Sequence, residues 1–211
     1  MAWITRNSMV CGIVLIALTI FLGGCGKGLK DVDRARLSSV SIDPAVEIKG
    51  FTYFGGKGKL AAVVGGVVAG PAGAAVGSVA GADTSEKGQV LTLMRENGID
   101  IGEIMISEFE KQLTTKSDFP PRVSEGADAT FHFEIGYALA QGVFSSKLKP
   151  ELYVWANLKD RDDKVIWKSY QWVNQHLTGY KHDEYMQNPE LLRQVLEQAC
   201  AVVAKKFAKS L

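Results

Sequence analysis

The side chains of this chain that are able to do acid–base or metal chemistry are few and widely spaced. It has three histidines: His132 falls on the polar face of a predicted strand, and His176 and His182 stand six residues apart in a predicted loop. Metal sites of the helical or zinc-ribbon kind need closer, paired ligands. We therefore interpret His182-Asp183-Glu184 as part of a solvated loop, and we expect no metal site and no catalytic residue. An enzyme that uses the 176–184 loop is the catalytic alternative.

The sequence also lacks the motifs of two large enzyme classes. It has no Gly-x-Ser-x-Gly nucleophile elbow and no phosphate loop that ends in Gly-Lys-Ser or Gly-Lys-Thr. Residues 55–59 read Gly-Gly-Lys-Gly-Lys without the hydroxyl residue, and their lysines suit a membrane headgroup boundary better. We expect a protein that is not an enzyme and holds no cofactor.

Cys25 is the most informative residue because of the segment that precedes it. Residues 1–8 carry one basic side chain, Arg6, and no acidic one, and residues 9–22 are almost purely apolar. That run is shorter than the ~20 residues that cross a bilayer comfortably, and it ends in small residues, as a removable signal does. The run ends in Leu22-Gly23-Gly24-Cys25, which resembles the lipobox of bacterial lipoproteins.

The lipobox resemblance implies a processed and lipid-anchored protein. It implies that the bond after Gly24 is cut, that the Cys25 sulfur carries diacylglycerol, and that the new amine is open to acylation, as with palmitate. Several acyl chains on one residue anchor a protein stably to a membrane. Residue 26 is glycine rather than the aspartate of many inner-membrane lipoproteins, which favours the outer membrane with the domain facing the periplasm; Lys27 leaves the inner membrane open. The alternative is an ordinary signal peptide or uncleaved anchor with a chance cysteine.

Charge and cysteine content bear on two further questions, whether the chain binds nucleic acid and whether it forms a disulfide. The chain has 24 basic and 23 acidic residues, and such a balance argues against nucleic acid, which binds through a clustered positive field. If Cys11 leaves with the signal peptide and Cys25 is lipidated, Cys200 has no partner for an intramolecular disulfide. It lies on the apolar stripe of the predicted last helix, so we expect it to be buried and unreactive.

Residues 60–82 form a segment without charge that is rich in alanine and glycine. A four-residue spacing places its glycines on helical faces where another backbone can approach closely: Gly66, Gly70, Gly73, Gly77 and Gly81. Pro71 separates the two sets, which predicts a helical hairpin, and the segment resembles the glycine zippers of envelope proteins. Three interpretations stand: a mobile loop, a hairpin that dips into the membrane, and self-association of copies. We favour the last two jointly.

The remaining pattern predicts one α+β domain over residues 37–211, after a lipidated tether at 25–36. Strands are predicted at 37–42, 46–54, 129–139, 152–158 and 165–174, and helices at 85–97, 100–115 and from 189 onward. Asp100 and Asn188 are the predicted caps of the last two helices. The predicted architecture is a two-layer fold, in which two amphipathic helices cover a mainly antiparallel sheet and residues 60–82 are an insertion. In element order it resembles the small periplasmic domains of TolB-amino-terminal or curli-secretion lipoproteins.

Four aromatic residues on the predicted hairpin are the candidate interaction surface: Tyr153, Trp155, Tyr170 and Trp172. They either form an exposed surface for a partner, glycan or peptide, or pair across the strands beneath a helix. The leading functional expectation is a non-enzymatic envelope lipoprotein for assembly, transport or protein interaction, anchored through Cys25 and associating through residues 60–82. The alternative is a periplasmic carrier that binds a hydrophobic or glycan ligand on the aromatic surface.

Overall fold

The computed structural model describes residues 28–55, 85–142, 145–174 and 177–211. The predicted signal peptide, the predicted lipidation site Cys25, the glycine-rich segment 60–82 and His176 lie outside the described residues. Within the described ranges, no helix has both the length and the hydropathy that a membrane crossing requires.

The described chain contains five strands and five helices, in the order α-β-β-α-α-β-β-β-α-α. The strands are β1 (Val40–Ile42), β2 (Glu47–Phe54), β3 (Ala129–Gln141), β4 (Leu148–Asp160) and β5 (Val165–Val173). The helices are α1 (Asp31–Arg34), α2 (Glu86–Glu96), α3 (Ile101–Thr114), α4 (His182–Gln187) and α5 (Pro189–Ser210). The predicted α+β class is confirmed.

The sheet is mixed, and β3 organises it. The strands β3, β4 and β5 form an antiparallel meander, with β3 and β4 paired over thirteen positions from Ala129↔Asp160 to Gln141↔Leu148. On its other side, β3 pairs in parallel with β1 at one end and with β2 at the other. The two helices α2 and α3 lie between β2 and β3 in the chain, and a crossover of that length permits parallel pairing.

One face of the sheet packs against the helical layer. Phe109 on α3 meets Phe131 and Phe133 on β3 at ring-centroid distances of 4.9 and 5.1 Å. Phe207 on α5 meets Phe133 and Trp167 at 6.2 and 5.9 Å. Three of these four ring pairs are edge-to-face and the Phe133–Phe207 pair is tilted. Such aromatic packing adds to the burial of large apolar area, so the core lies between the sheet and helices α3 and α5.

The two predicted helix caps are present. The Asp100 carboxylate accepts hydrogen bonds from the backbone N–H groups of Gly102 at 2.7 Å and Glu103 at 3.0 Å. The Asn188 side chain accepts from the N–H of Glu190 at 3.2 Å, with Pro189 in the first turn. These bonds satisfy amides at the helix starts that have no partner within the helix.

Three local features differ from the sequence-based expectation. The predicted loop around His182 contains helix α4, and the His182 side chain is only 15% exposed. The apolar spacing of the last helix also places Val202 on its buried stripe, but Val202 is 38% exposed, whereas Cys200 on the same helix is fully buried. Leu29, inside the predicted tether, is buried in the core and donates its N–H to Ser210 at 3.1 Å. Ordered structure therefore begins before residue 37.

Candidate functional site on the open face of the sheet

Alternation along the strands separates two faces of the sheet. On β3, the odd-numbered residues from Phe131 to Leu139 point into the core, so the even-numbered ones point to the opposite face. Because Glu134 is paired with Trp155, and Trp155 with Tyr170, these aromatic residues share that opposite face. We call it the open face, since the core helices α3 and α5 lie on the other side.

The four predicted aromatic residues form two cross-strand pairs on this face, and we call the group the aromatic platform. Tyr153 and Trp172 stack with ring centroids 5.9 Å apart and planes 9° apart. Trp155 and Tyr170 lie 5.0 Å apart with planes inclined by 37°. Trp172 is 49% and Tyr170 40% exposed, while Tyr153 and Trp155 are half-buried. The four residues form the cross-strand pairs that one of the two alternatives predicted. Neither α3 nor α5 lies over them, so they are not packed beneath a core helix as that alternative also supposed.

Tyr153 is the platform residue whose hydroxyl makes a hydrogen bond to a carboxylate. Its hydroxyl donates to the Glu151 carboxylate at 2.9 Å. Burial against its neighbours, followed by that hydrogen bond, raises the pKa of Tyr153 to about 12. Burial also raises the pKa of Tyr170. Both phenols therefore remain neutral hydrogen-bonding groups at physiological pH.

A charged cluster borders the platform on the β2 side. Lys49 is the extra residue at a bulge between Ile48 and Gly50. Its ammonium lies 2.6 Å from the Glu47 carboxylate and 3.1 Å from the Glu134 carboxylate. The hydrogen bonds to Glu47 and then Glu134 raise the pKa of Lys49. The cluster places ion-paired charge directly beside Trp155, the strand neighbour of Glu134.

The opposite end of the open face carries further polar groups. His132 Nδ1 lies 2.9 Å from the Asp43 carboxylate, and Lys159 lies 2.9 Å from the Asp163 carboxylate. The Lys159 ammonium lowers the pKa of Asp163. Lys168, the strand neighbour of Asn157 and exposed, has no ion-pair partner among the described residues.

The backbone next to Tyr153 leaves room for a ligand atom. Gly136 is the β3 residue opposite Tyr153, and a Cβ added there would meet Tyr153 Cβ only at 3.8 Å. That distance is ordinary van der Waals contact. Because Gly136 has no side chain, the sheet surface is lower at this position than at its neighbours, and we call this depression the backbone step. The alternating strand pattern in the sequence did not identify it.

The outer edge of β5 completes the site. The strand β5 ends the sheet order, and its residues make no backbone hydrogen bonds to described residues other than those of β4. Trp167, on the core side of β5, has an indole Nε1 without a hydrogen-bond partner in the described part of the chain. An edge strand with free amides is a template for another strand.

Among the described residues, the remaining candidate groups lie apart from one another. His182 Nδ1 lies 3.4 Å from the Asp183 carboxylate, and the ring meets Tyr53 edge-on with centroids 6.1 Å apart. No group of three or more metal-ligating side chains occurs among the described residues. Burial strongly raises the pKa of the Cys200 thiol, so this cysteine is a weak nucleophile, as expected from the sequence.

Two neighbouring surface cavities lie away from the open face, around the loop that follows α3. One of about 440 Å³ is lined by α1 and residues 117–121, and the other of about 560 Å³ by the end of α3 and residues 119–124. Arg34 bonds Asp118 at 3.1 Å in the first, and Arg122 bonds Glu110 at 2.9 Å in the second. These four charged side chains are bonded to one another within the domain, so we place the candidate site on the sheet.

No protein-family model and no curated protein matches the chain. Solved structures give partial matches. A DUF330 protein from Xanthomonas campestris aligns at 11% identity and TM-score 0.39, over 51% of this chain and 58% of that one. A minor lipoprotein from Acinetobacter baumannii aligns at 11% identity and TM-score 0.36, over 82% and 91%. The PelC dodecamer from Paraburkholderia phytofirmans aligns at 10% identity and TM-score 0.32, over 80% and 86%. These values describe a partial backbone likeness and carry no functional assignment.

Proposed function

We propose that this chain is a lipoprotein of the bacterial envelope with a non-enzymatic role in assembly, transport or protein interaction. Lipid on Cys25 anchors it to the outer membrane, and the α+β domain faces the periplasm. The aromatic platform binds a partner protein. The sequence Leu22-Gly23-Gly24-Cys25 supports the anchor, and the open face of the sheet supports the binding role.

One observation carries the binding role: four aromatic side chains lie together on a sheet face that neither core helix covers. Tryptophan and tyrosine are enriched among the residues that dominate protein interfaces, because they bury large area with little loss of conformational freedom. Trp172 and Tyr170 still expose 49% and 40% of their surface. The paired charges of Lys49, Glu47 and Glu134 supply the polar rim that such interfaces have.

Site-specific photo-crosslinking in intact cells tests this role. A photoreactive phenylalanine analogue replaces Trp172, and a matched chain carries it at Leu91, which is 37% exposed on α2. We expect Trp172 to yield a crosslinked envelope protein that Leu91 does not yield. Identical products from both positions, or none from Trp172, would contradict a partner-binding platform.

The glycine-rich segment 60–82 is proposed to contact the membrane or other copies of the chain. Its uncharged composition and four-residue glycine spacing support this role. A chain that lacks residues 60–82 tests it. If the oligomeric state and the ease of extraction from membranes are both unchanged, the segment has neither role.

A carrier for a hydrophobic or glycan ligand is the second candidate. The stacked Tyr153–Trp172 pair beside Gly136 favours it, since flat rings next to a backbone step can receive an apolar face. A ligand on the platform changes the emission of Trp155 and Trp172 but leaves that of Trp167, which is 2% exposed. Replacing both platform tryptophans with phenylalanine should abolish the change. A broad ligand screen without any change would remove this candidate.

A further inference from the structure

The two edges of the sheet differ in how well they are closed to another strand. At the first edge, Val40 of β1 already exchanges backbone hydrogen bonds with Pro121 and Val123. The rest of this edge is formed by β2, which is interrupted by the bulge at Lys49 and carries an ion pair there. Bulges and charges are the usual protection of sheet edges, so this edge is poorly suited to strand addition.

The β5 edge lacks that protection over most of its length. A bulge occurs only at its start, where Ile166 is skipped between the pairs Lys159↔Val165 and Leu158↔Trp167. From Trp167 to Val173 the pairing with β4 is regular, and the run contains no proline, no glycine and one charge, Lys168. These seven residues form the longest regular free edge in the described part of the chain.

We propose that a second copy of this chain pairs with β5 through its own β5, antiparallel and about a two-fold axis at Tyr170. The two sheets then continue across the dimer, and the two aromatic platforms lie side by side on the same face. The pairing is isologous, since the same strand serves both copies. This interface does not involve residues 60–82 and stands independently of the lipid anchor.

Self-complementarity identifies a second copy as the occupant. Centring the pair on Tyr170 is the one register that uses all seven regular residues of both strands, because Trp167 then faces Val173 of the other copy. On the open face, Lys168 faces Trp172 of the other copy on both sides of the axis. A lysine over an indole is a favourable cation–π pair, so Lys168, which has no ion-pair partner among the described residues, gains a partner in each copy.

The other pairs in this register also match in character. Tyr170 meets its own counterpart, and aromatic cross-strand pairs stabilise sheets. Ser169 faces Gln171 of the other copy, which joins two polar side chains on the core side. No position opposes like charges. Shifting the axis to Lys168 would instead place two lysines face to face, which is unfavourable.

A charge swap tests the interface on the full-length chain, purified from membranes in nonionic detergent. Trp172→Lys places a lysine opposite Lys168 of the other copy at both symmetric positions, and we expect dimer formation to weaken at least tenfold in sedimentation equilibrium. Adding Lys168→Glu should restore it. Residues 168 and 172 are ~13 Å apart along one strand, so this rescue cannot arise within a single copy.

Cysteine crosslinking tests the register. Tyr170→Cys lies on the axis, where opposed Cβ atoms come within disulfide reach, so this variant should oxidise to a covalent dimer. Lys168→Cys is the matched control: it should not bridge to itself, but it should bridge to a chain that carries Trp172→Cys. Cys200 is buried and does not compete.

Each of four results on the full-length chain would overturn the proposal. They are a monomer at all protein concentrations, a dimer that Trp172→Lys leaves intact, a Lys168→Cys chain that self-crosslinks as fast as Tyr170→Cys, and crosslinking of the Tyr170→Cys chain in cells to a different protein. A chain without residues 60–82 should keep the dimer. Its loss there would assign association to the glycine-rich segment instead.

Discussion

Tyr153 and Trp172 stack almost parallel on adjacent strands, with ring centroids 5.9 Å apart, on the sheet face opposite the core. The pair holds a large aromatic surface in a fixed position, and neither α3 nor α5 lies above it. The Tyr153 hydroxyl is fixed as well by its hydrogen bond to Glu151. Rigid and half-exposed rings suit a binding surface, because little side-chain freedom is lost when a partner covers them.

A double-mutant cycle on this pair should measure its contribution to folding. Each single change, Tyr153→Ala or Trp172→Ala, removes the stacking, so we expect the double variant to lose less stability than the sum of the two. The coupling free energy should be about 0.5–1 kcal/mol, as for directly opposed cross-strand pairs. Urea unfolding followed by circular dichroism provides the free energies.

The cycle has an internal control in Lys168. This residue faces Asn157 rather than Tyr153, so Tyr153→Ala and Lys168→Ala should be additive. Additivity at the Tyr153–Trp172 pair as well would mean that the stacked geometry contributes no energy of its own.

Local signals in the sequence were sufficient for much of the fold. The alternation from Ala129 to Leu139 predicts β3, the polar turn at Asp160 predicts the β4–β5 hairpin, and Asp100 and Asn188 mark helix starts that the structure contains. These features depend on neighbouring residues only. Side-chain alternation and amide capping are short-range effects, so a single sequence carries them.

Long-range features were not accessible in the same way. The parallel pairing of β1 and β2 with β3 joins residues more than eighty positions apart; the helices between β2 and β3 were the available signal for a parallel crossover. Helix α4 has six residues, too few to show a helical period. The sequence identified the four aromatic residues, but it did not show whether they are exposed. Their exposure depends on the face of the sheet that α3 and α5 cover, which is determined by packing.

The carboxylate of Asp128 should make folding stability depend on pH. The backbone N–H of Ser38 donates to it at 2.7 Å and that of Ser39 at 3.1 Å, and Arg161 lies 2.8 Å away. The hydrogen bond from Ser38, with the Arg161 charge and the Ser39 bonds, lowers the pKa of Asp128 from its ordinary value of 3.8. The unfolded chain therefore takes up this proton more readily than the folded one.

It follows that Asp128 stabilises the fold above the ordinary carboxyl pKa, and that this contribution is lost as the pH falls through the lowered value. Asp128→Asn should be less stable than the unmodified chain at pH 7, and the difference should shrink steadily in acid. Urea unfolding at a series of pH values measures it. A difference that stays constant between neutral and acid pH would contradict the assigned hydrogen bonds.

Phe109 should be among the most sensitive core positions. It is fully buried and contacts three other phenylalanines: Phe131, Phe133 and Phe207. Phe109→Ala leaves a cavity between α3 and the sheet, and we expect a loss of about 3–5 kcal/mol in the free energy of unfolding. Leu91→Ala, at an exposed position of α2, should cost less than about 1 kcal/mol. Equal losses at both positions in urea unfolding would contradict the described core.

The lipid anchor is tested by Cys25→Ala. If the sulfur of Cys25 carries the lipid, this variant has no acyl chain and should move from the membrane fraction to the soluble fraction. Each buried methylene contributes about 0.8 kcal/mol to membrane binding, so several chains hold a protein that none would hold. Intact mass spectrometry of the unmodified chain should find residue 25 at the amino terminus with its lipid, and fractionation should separate the two chains. A bare sulfur on residue 25, or residues 1–24 still attached, would contradict the lipidated anchor.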